Sequence, residues 1–488
     1  MNKVFPFCRI CLFICLVMCL FSCSRTSLVK DRRYINPLQF GLTKAKTGAE
    51  RYYVLQRTHN EAFRCGKAVS YTGIKDIQLE IPKDAKSLPL TQYTDFAGVS
   101  FEVKNTQKDF FLFSLSGKTT AVSANGSEID NRDFTKNPVL KSGRKLLIIT
   151  DDTPWVETRS GHNYGATRMD MMLLENGRGQ NNPIQSYCSQ SSSPKCNYCE
   201  AEAIKKVFKN IKFNRTKDST KKTFLIKVEN QCNVELSNIN IITPDGSGMT
   251  ADKAITLNNC YDVLLNEISI NGTYSLPRKY GYGISMNNVC LLNINNMVAR
   301  ANWGVFGNNN VQKAMLKKCN INRFDIHCYG KDVSFENCIF EELYNQFSSF
   351  YGKLSFENCA FKNFIPVLLE YSYNAYTAFD VLFKNCTFTL DKSHNCIVYY
   401  PSFCKKENTR LELRKKCLPN VTMINCQIEA MDGLNKWYVF NIKNVDDYEG
   451  SFGHISNVTI NGLSTNNLID MVVFNERVKT ENEVLIVN

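Results

Sequence analysis

The fold of this chain is decided by the stretch FENCIF, residues 335–340, because the same pattern recurs along the second half of the sequence. Each copy has an apolar residue, a polar residue, Asn, Cys, a variable residue and a second apolar residue. Clear copies begin at Phe356, Phe383 and Met423, and looser copies contain Cys232 and Cys260. Repetition of one short unit indicates a repeat architecture, in which each unit packs mainly on its neighbours.

A second set of strand-length apolar runs has the same period. These runs begin near Gly283, Gly304, Asp325, Phe347 and Val367, at spacings of 20 to 22 residues. About 20 residues are too few for a strand–helix–strand crossover, which needs roughly 30. They are enough for three short strands joined by turns. The sequence therefore predicts an all-β fold, a parallel β-helix (solenoid) in which Cys and Asn stack in ladders on successive coils.

The ladder accounts for many of the 21 cysteines. A buried free cysteine packs as a small hydrophobic residue, whereas a disulfide requires a specific geometry. We therefore expect reduced thiols at one ladder position, beside asparagines that form turns. The expected ladder members are Cys260, Cys319, Cys338, Cys359, Cys386 and Cys426. Disulfides are expected only in loops, among Cys188, Cys196 and Cys199 and between Cys404 and Cys417.

The N-terminus has the features of an export signal. Lys3 and Arg9 precede a short apolar stretch, and the sequence LFSC at residues 20–23 resembles the lipobox of bacterial lipoproteins. This pattern predicts a signal peptide at residues 1–22 and a lipid-anchored Cys23. The predicted location is the cell envelope, as an outer-membrane lipoprotein facing the periplasm or the cell surface. An ordinary secretory signal or an anchor helix is the alternative.

Removal of the signal changes the charge and the cysteine count. The formal charge falls from +13 to +11. Four cysteines belong to the signal and Cys23 to the anchor, so sixteen others remain in a compartment where disulfides are permitted. A basic chain favours an acidic partner. The basic residues are dispersed and no nucleic-acid-binding motif is present, so nucleic acid is not an expected partner.

The first half of the chain adds a cap and further strands. Residues 23–50 are expected to form a linker, and residues 51–200 a cap and early coils with a loop insertion. Thr58 and Glu61 predict a short capping helix with Thr58 as its N-cap and Gly66 after its end. Irregular strands between Ile77 and Ile149 predict early coils plus a β-rich elaboration. The β-helix proper is expected at residues 201–475, before a tail at 476–488.

The lipobox, the capping helix and the coil length together resemble exported members of the right-handed parallel β-helix, or pectin-lyase-like, superfamily. The resemblance covers about residues 50–475 and implies a right-handed solenoid that acts on polysaccharides, often acidic ones. Residues 318–338 are also similar to the pectin methylesterase pattern, which implies Asp325 as a nucleophile. Trp303 and Gly304 stand where that family has its second acidic residue, and its arginine motif is not visible.

Alternation around Asp325 predicts the candidate site. If Ile326 and Cys328 point inward, the side chains of Asp325, His327 and Tyr329 face outward. A histidine beside a carboxylate is suited to proton transfer. The predicted catalytic residues are Arg323, Asp325, His327 and Tyr329. The predicted substrate-binding residues, at related positions of neighbouring coils, are Arg300, Trp303, Asn308, Tyr351, Lys353 and Tyr371.

These residues together predict a polysaccharide lyase that acts by β-elimination on an anionic, uronate-containing glycan. In such a reaction a base removes the C5 proton while a cation neutralises the adjacent carboxylate, a role that suits arginine. The sequence identifies no cofactor, and Ca²⁺ is an alternative cation for the same neutralising role. Two alternatives stay open. One is a non-catalytic glycan-binding or cell-envelope structural lipoprotein, and the other is a glycoside hydrolase or carbohydrate esterase.

Overall fold

The structure is a computed structural model that describes residues 34–156, 166–184, 186–188, 193–216, 218–243, 254–272, 282–299, 304–341, 343–369, 378–400, 416–443, 452–453, 457–466, 469–474 and 485–487. The predicted signal peptide lies outside these residues, as do Cys23, Arg300, Trp303, Tyr371 and Cys404. Within the described part of the chain, no helix combines the length and the apolar character needed to cross a membrane.

Helix α1 (Gly48–Cys65) packs its buried face on the first strands of the solenoid. Its N-cap is Thr47, whose hydroxyl accepts a hydrogen bond from the Glu50 amide, while the Glu50 carboxylate accepts one from the Thr47 amide. Gly66, in the left-handed conformation, ends the helix as predicted.

The predicted N-cap at Thr58 is wrong. The pattern Thr-x-x-Glu occurs twice in this stretch, and the helix begins at the first copy. Thr58 lies inside α1, where its hydroxyl donates to the Val54 carbonyl. The segment before α1 contains two short 3-10 helices, Pro37–Phe40 and Leu42–Lys44. The expected linker boundary at residue 50 therefore falls inside α1.

The rest of the described chain consists mainly of strands, and those of the main sheet all pair in parallel register. Before an inserted lobe the strands are β1 (Val69–Ser70), β2 (Asp76–Glu80), β3 (Leu88–Pro89), β4 (Tyr93–Lys104) and β5 (Phe110–Ser116). The lobe contains β6 (Thr120–Val122), α2 (Gly126–Asn131), β7 (Arg144–Val156), β8 (Ala166–Glu175), β9 (Arg178–Gly179) and β10 (Pro194–Glu200).

After the lobe the chain winds from coil to coil. The next strands are β11 (Lys206–Arg215), β12 (Thr223–Thr243), β13 (Ile255–Gly272), β14 (Ile284–Asn295), β15 (Val298–Ala299), β16 (Phe306–Lys317), β17 (Asn320–Ile321), β18 (Phe324–Glu336), β19 (Ile339–Glu341), β20 (Tyr344–Phe347), β21 (Phe350–Glu357), β22 (Ala360–Lys362) and β23 (Ile365–Leu368). The last are β24 (Ala378–Lys384), β25 (Thr387–Leu390), β26 (Cys396–Tyr400), β27 (Lys416–Cys417), β28 (Asn420–Ile424), β29 (Gln427–Ala430), β30 (Lys436–Ile442), β31 (Phe452–Gly453), β32 (Asn457–Asn461), β33 (Ser464–Thr465), β34 (Asp470–Phe474) and β35 (Leu485–Val487). Strands β27 and β31 form a separate pair. The predicted all-β parallel β-helix is confirmed.

Asparagines in the left-handed conformation turn the chain at one corner of the coil. Asn230, Asn259, Asn288 and Asn310 all have positive φ, which Asn tolerates better than most residues. The side-chain amides of the last three each donate to the asparagine one coil earlier, at 2.7 to 2.9 Å. This ladder satisfies polar groups at a sharp turn, as the sequence predicts for the asparagines. Below, we call this position the asparagine corner.

The cysteine column lies at a different corner. Its members are free and buried, and each thiol lies 3.4 to 3.7 Å from a backbone carbonyl oxygen of the preceding coil. They are Cys319, Cys338, Cys359, Cys386 and Cys426. The predicted reduced ladder is thus confirmed for these five. It is wrong for Cys260, which pairs with Gln231 and Val289 beside the asparagine corner. The Asn-Cys pair occurs at two corners of the coil, and the sequence alone does not distinguish them.

The lobe is an antiparallel sheet inserted between β5 and β11. One face packs on Ile129 and Phe134 in a core of its own, and the other packs on Cys232, Tyr261 and Cys290 of the solenoid. The predicted β-rich elaboration is therefore a lobe that contains residues 146–149, which are not part of an early coil.

The geometry of strand β10 also shows whether the predicted loop cysteines form a disulfide. Cys196 and Cys199 are three residues apart on the strand, so they face opposite sides of the lobe sheet. Both are free, as is the exposed Cys188, whose amide donates to the Asp130 carboxylate. The predicted loop disulfide among these three cysteines is wrong.

The lobe is held beside the asparagine corner by side-chain amides of the solenoid. Asn288 donates to the Asp170 carbonyl at 3.1 Å, and Asn310 to the Met169 carbonyl at 2.8 Å. Gln312 donates to the Asp170 carboxylate at 2.8 Å, and burial raises the pKa of this carboxyl group to about 6. The lobe therefore lies at the end of the strand segments that carry the candidate site.

Candidate functional site

Strand β18 carries Asp325 and His327 on the face opposite to its core residues. Phe324 and Ile326 are fully buried in the solenoid core. Asp325 pairs with Gly307 on the preceding coil and with Gln346 on the following coil. The period-two alternation of a strand thus places Asp325 and His327 on the outer face, as predicted.

A tyrosine joins these two side chains. The Tyr282 hydroxyl lies 2.8 Å from Asp325 Oδ2 and 2.8 Å from His327 Nε2. The carboxylate is fully buried, whereas 16% of the His327 side chain is exposed. The hydroxyl group therefore connects a buried charge to an imidazole that solvent and ligands can reach.

Arg323 pairs with Asp325 from the inner side of this cluster. Its Nε donates to Asp325 Oδ1 at 2.6 Å, and its Nη2 donates to Gln346 Oε1 at 3.1 Å. The guanidinium also stacks on the Tyr344 ring, 4.2 Å from the ring centroid. Burial lowers the pKa of Arg323, but the Asp325 carboxylate and neighbouring groups raise this pKa by more. Because Arg323 is only 2% exposed, it can position other groups but does not reach a ligand.

Gly307 provides the space in which the Tyr282 ring lies. A Cβ atom at Gly307 would be 2.3 Å from Cδ2 and 2.5 Å from Cγ of that ring. Both distances are far below a van der Waals contact. A glycine on the outer face of a strand is therefore the sequence feature that marks this site.

Replacing Gly307 with alanine is expected to displace the Tyr282 ring and to break its hydrogen bonds with Asp325 and His327. Overpacking of this kind costs about 1 to 3 kcal/mol of unfolding free energy. Chemical denaturation of the variant would measure the loss. A double-mutant cycle with Tyr282→Ala is the control, because Gly307→Ala should cost little once the ring is absent. An equal cost in both backgrounds would contradict this account.

Tyr329 is predicted to face outward beside His327, and this prediction is wrong. Its φ of 62° places it at the asparagine corner rather than on the flat of the strand, and it is only 3% exposed. Its ring stacks against that of Tyr351 with centroids 6.5 Å apart. Burial raises the pKa of Tyr329 well above its usual value. Neither Tyr329 nor Tyr351 joins the Tyr282 cluster.

Two predicted substrate-binding residues also lie elsewhere. Asn308 pairs with Met286 and Ile326, and it points into the core with its side chain fully buried. Lys353 is exposed, but it lies beyond another corner, where its amide donates to Asp332. The burial of Asn308 contradicts its predicted role, whereas Lys353 lies apart from Asp325 and His327 and its role stays a prediction. The predicted positions Arg300, Trp303 and Tyr371 lie outside the described residues.

Sequence reasoning missed Tyr282, Tyr344 and Gln346. Tyr282 lies two residues before β14, in a stretch with no repeat pattern. Gln346 occupies the position equivalent to Asp325 one coil later, so a correct register would have identified it.

Within the residues that the structure describes, no three His, Cys, Asp or Glu side chains are grouped as ligands for a metal ion. The Asp325–His327 pair provides two such groups.

No protein-family model and no curated protein matches this sequence. Several solved structures are similar to this chain. The chain is similar to the Gp54 tailspike of Acinetobacter baumannii bacteriophage AP22, solved in complex with A. baumannii capsular saccharide, with a TM-score of 0.58 and 12% identity over 93% of this chain and 76% of the tailspike. It is also similar to the tailspike gp49 from Pseudomonas phage LKA1 (TM-score 0.53, 12% identity, 88% and 81% covered). A third similar structure is the Pseudomonas phage phi297 tailspike gp61 (TM-score 0.52, 12% identity, 89% and 81% covered).

At this level of identity the similarity shows the fold and not the activity. It covers most of both chains in each comparison, so it includes the solenoid as a whole rather than a few coils. The chain has the right-handed parallel β-helix fold that the sequence predicts.

Proposed function

We propose that this protein binds a polysaccharide along the outer face of the strands that carry Asp325 and His327, and cleaves it there. Neighbouring coils present amide and hydroxyl side chains on the same face, and these suit the hydroxyl groups of sugars. They are Asn258, Ser285, Asn287 and Asn309, in parallel register with the site. The shared fold supports the proposal, since one of the similar tailspikes was solved with a capsular saccharide.

The Tyr282–Asp325–His327 cluster is the observation that carries the proposed chemistry. A glycoside hydrolase typically needs two carboxyl groups about 5 to 9.5 Å apart, on either side of the scissile bond. Among the described residues, this cluster contains one carboxylate, and Arg323 and Tyr282 already bind it in a fully buried position. Burial also makes Asp325 a poor nucleophile for an esterase.

A lyase requires a base rather than a second carboxylate. His327 is partly exposed and is supported by Tyr282 and Asp325, so we propose that it removes the C5 proton of a uronate. The net charge of +13 supports an anionic glycan as the substrate. The proposed reaction is therefore β-elimination on a uronate-containing polysaccharide.

The test is an assay of the purified protein against a panel of uronate polysaccharides, in which ultraviolet absorbance reports the unsaturated product. Replacing His327 with glutamine is expected to lower the rate by about 10²- to 10⁴-fold, the usual contribution of a general base. The matched control is His394→Gln, because His394 is also partly exposed and also pairs with an aspartate, Asp391. Full activity in His327→Gln would exclude this site. Glycan binding without product from any substrate would instead establish a binding protein.

Export and lipid anchoring at Cys23 belong to the same proposal, because a lipid anchor would hold the solenoid at the cell envelope. Metabolic labelling with a fatty acid and cell fractionation would test it. Label should be lost in Cys23→Ala. Equal labelling of the wild type and the variant would exclude this anchor.

A further inference from the structure

The Tyr282 hydroxyl has one proton, and two polar side-chain atoms of the described residues Asp325 and His327 lie close to it. Asp325 Oδ2 and His327 Nε2 both lie 2.8 Å from its oxygen. Only one of these contacts can use the tyrosine proton. The other must use a proton from the neighbour, with the tyrosine oxygen as acceptor.

Arg323 decides which contact uses the tyrosine proton. Its guanidinium stays protonated in proteins, and its Nε is 2.6 Å from Asp325 Oδ1 with both side chains buried. A neutral Asp325 would leave this buried positive charge without its counter-charge, so Asp325 is a carboxylate and only accepts hydrogen bonds. Tyr282 therefore donates to Asp325, and its oxygen accepts a proton from His327 Nε2.

We infer that the Arg323–Asp325 pair acts through Tyr282 to hold neutral His327 in the Nε2–H form, so that Nδ1 is the nitrogen that accepts a proton. Arg323, Asp325 and Tyr282 are positioning residues in this arrangement, and His327 is the residue that contacts the reacting atoms. The assignment of Nδ1 as the catalytic base rests on the proposed function. The tautomer itself does not.

The proposed elimination can be written with this assignment. The C5–H bond of the uronate breaks, its proton forms a bond with His327 Nδ1, and its electron pair forms the C4–C5 double bond. The C4–O4 bond breaks, and the leaving oxygen takes a proton from water. The resulting imidazolium is stabilised because Nε2 lies 3.5 Å from Asp325 Oδ2 and donates to the Tyr282 oxygen.

The experiment is ¹⁵N NMR of the histidine rings in the uniformly labelled full chain at neutral pH. The chain has five histidines, and the His327→Gln spectrum identifies the His327 signals by their absence. The expected spectrum shows a protonated Nε2 and an unprotonated Nδ1 for His327. A protonated Nδ1 as the main neutral form would overturn the inference.

Two variants separate positioning from a merely structural role. Tyr282→Phe keeps the ring in its space over Gly307 but removes the hydroxyl, so we expect loss of the single His327 tautomer in the ¹⁵N spectrum. The control is Tyr198→Phe on the lobe strand β10, which should leave the His327 signals unchanged. An unchanged tautomer in Tyr282→Phe would overturn the inference.

The two proposals fail in different ways. An Nε2–H form in a protein that cleaves no glycan would reject the proposed function and keep the tautomer assignment. An Nδ1–H form in an active lyase would reject the assignment and keep the function.

Discussion

Replacing Arg323 with alanine is expected to lower the free energy of unfolding by about 3 to 5 kcal/mol, the typical cost of removing one partner of a buried ion pair. The substitution would leave the fully buried Asp325 carboxylate without its counter-charge. It would also leave Gln346 without its donor and Tyr344 without the stacked guanidinium.

Chemical denaturation of the wild type and the variant would measure this difference. The matched control is Arg64→Ala, since Arg64 also makes a close ion pair, with Glu61, but its side chain is 72% exposed. An exposed pair of this kind contributes little to the free energy of unfolding, because solvent screens the two charges. The double variant Arg323→Ala/Asp325→Ala should recover part of the loss because it removes the unpaired charge. Equal losses for Arg323→Ala and Arg64→Ala would contradict a buried ion pair.

The sequence predicts the coils because the repeat is a local property of the chain. The stacked phenylalanines show this directly: Phe335, Phe356 and Phe383 recur in the FENC-type copies, and their rings stack at 4.8 to 5.0 Å on successive coils. Such columns are fixed by residue type and period alone. The fold could therefore be predicted without any knowledge of long-range contacts.

The position of each site residue depends on the strand register. A register predicted from a constant period is wrong wherever one coil has a different length. A constant period of about 21 residues aligns Gly304 with Asp325, whereas the structure pairs Asp325 with Gly307. The difference of three residues is odd, so it moves each side chain of that strand to the other face. This explains why Asn308 is predicted on the surface and lies in the core.

Residues outside the repeat could not be placed from the sequence. Tyr282 precedes its strand, and its contacts with residues 325 and 327 span more than 40 positions in the chain. The lobe shows the same limit. Its strands can be recognised in the sequence, but the lobe is held to the solenoid by side-chain amides such as that of Asn310. Nothing in the local sequence around Asn310 indicates that it binds the lobe.

Acidification is expected to destabilise the protein through His59, a buried histidine of α1. His59 Nδ1 lies 3.1 Å from the Pro89 carbonyl, which can only accept, so Nδ1 carries the proton. Nε2 then accepts from the Tyr71 hydroxyl at 2.7 Å. The neutral imidazole thus has both of its hydrogen bonds in a fully buried position, and burial lowers the pKa of His59 from 6.5 to about 4.

Stability falls on acidification because the unfolded chain binds a proton at His59 more easily than the folded chain does. Above pH 6.5 His59 is neutral in both the folded and the unfolded chain, and its contribution to stability is complete. As the pH falls from 6.5 towards 4, the unfolded chain takes up a proton and the folded chain does not, so stability is lost. The shift corresponds to about 3 kcal/mol over that range. A proton added at Nε2 would also remove the bond from Tyr71.

Urea denaturation between pH 7 and pH 4 would measure this loss in the wild type and in His59→Gln, whose side chain does not titrate. The difference in unfolding free energy between the two proteins should narrow by up to about 3 kcal/mol on acidification. His394→Gln is the control, because His394 is 26% exposed beside Asp391 and its loss should leave the steep pH dependence in place. Parallel pH profiles for the wild type and His59→Gln would show that this buried histidine does not limit the acid stability of the solenoid cap.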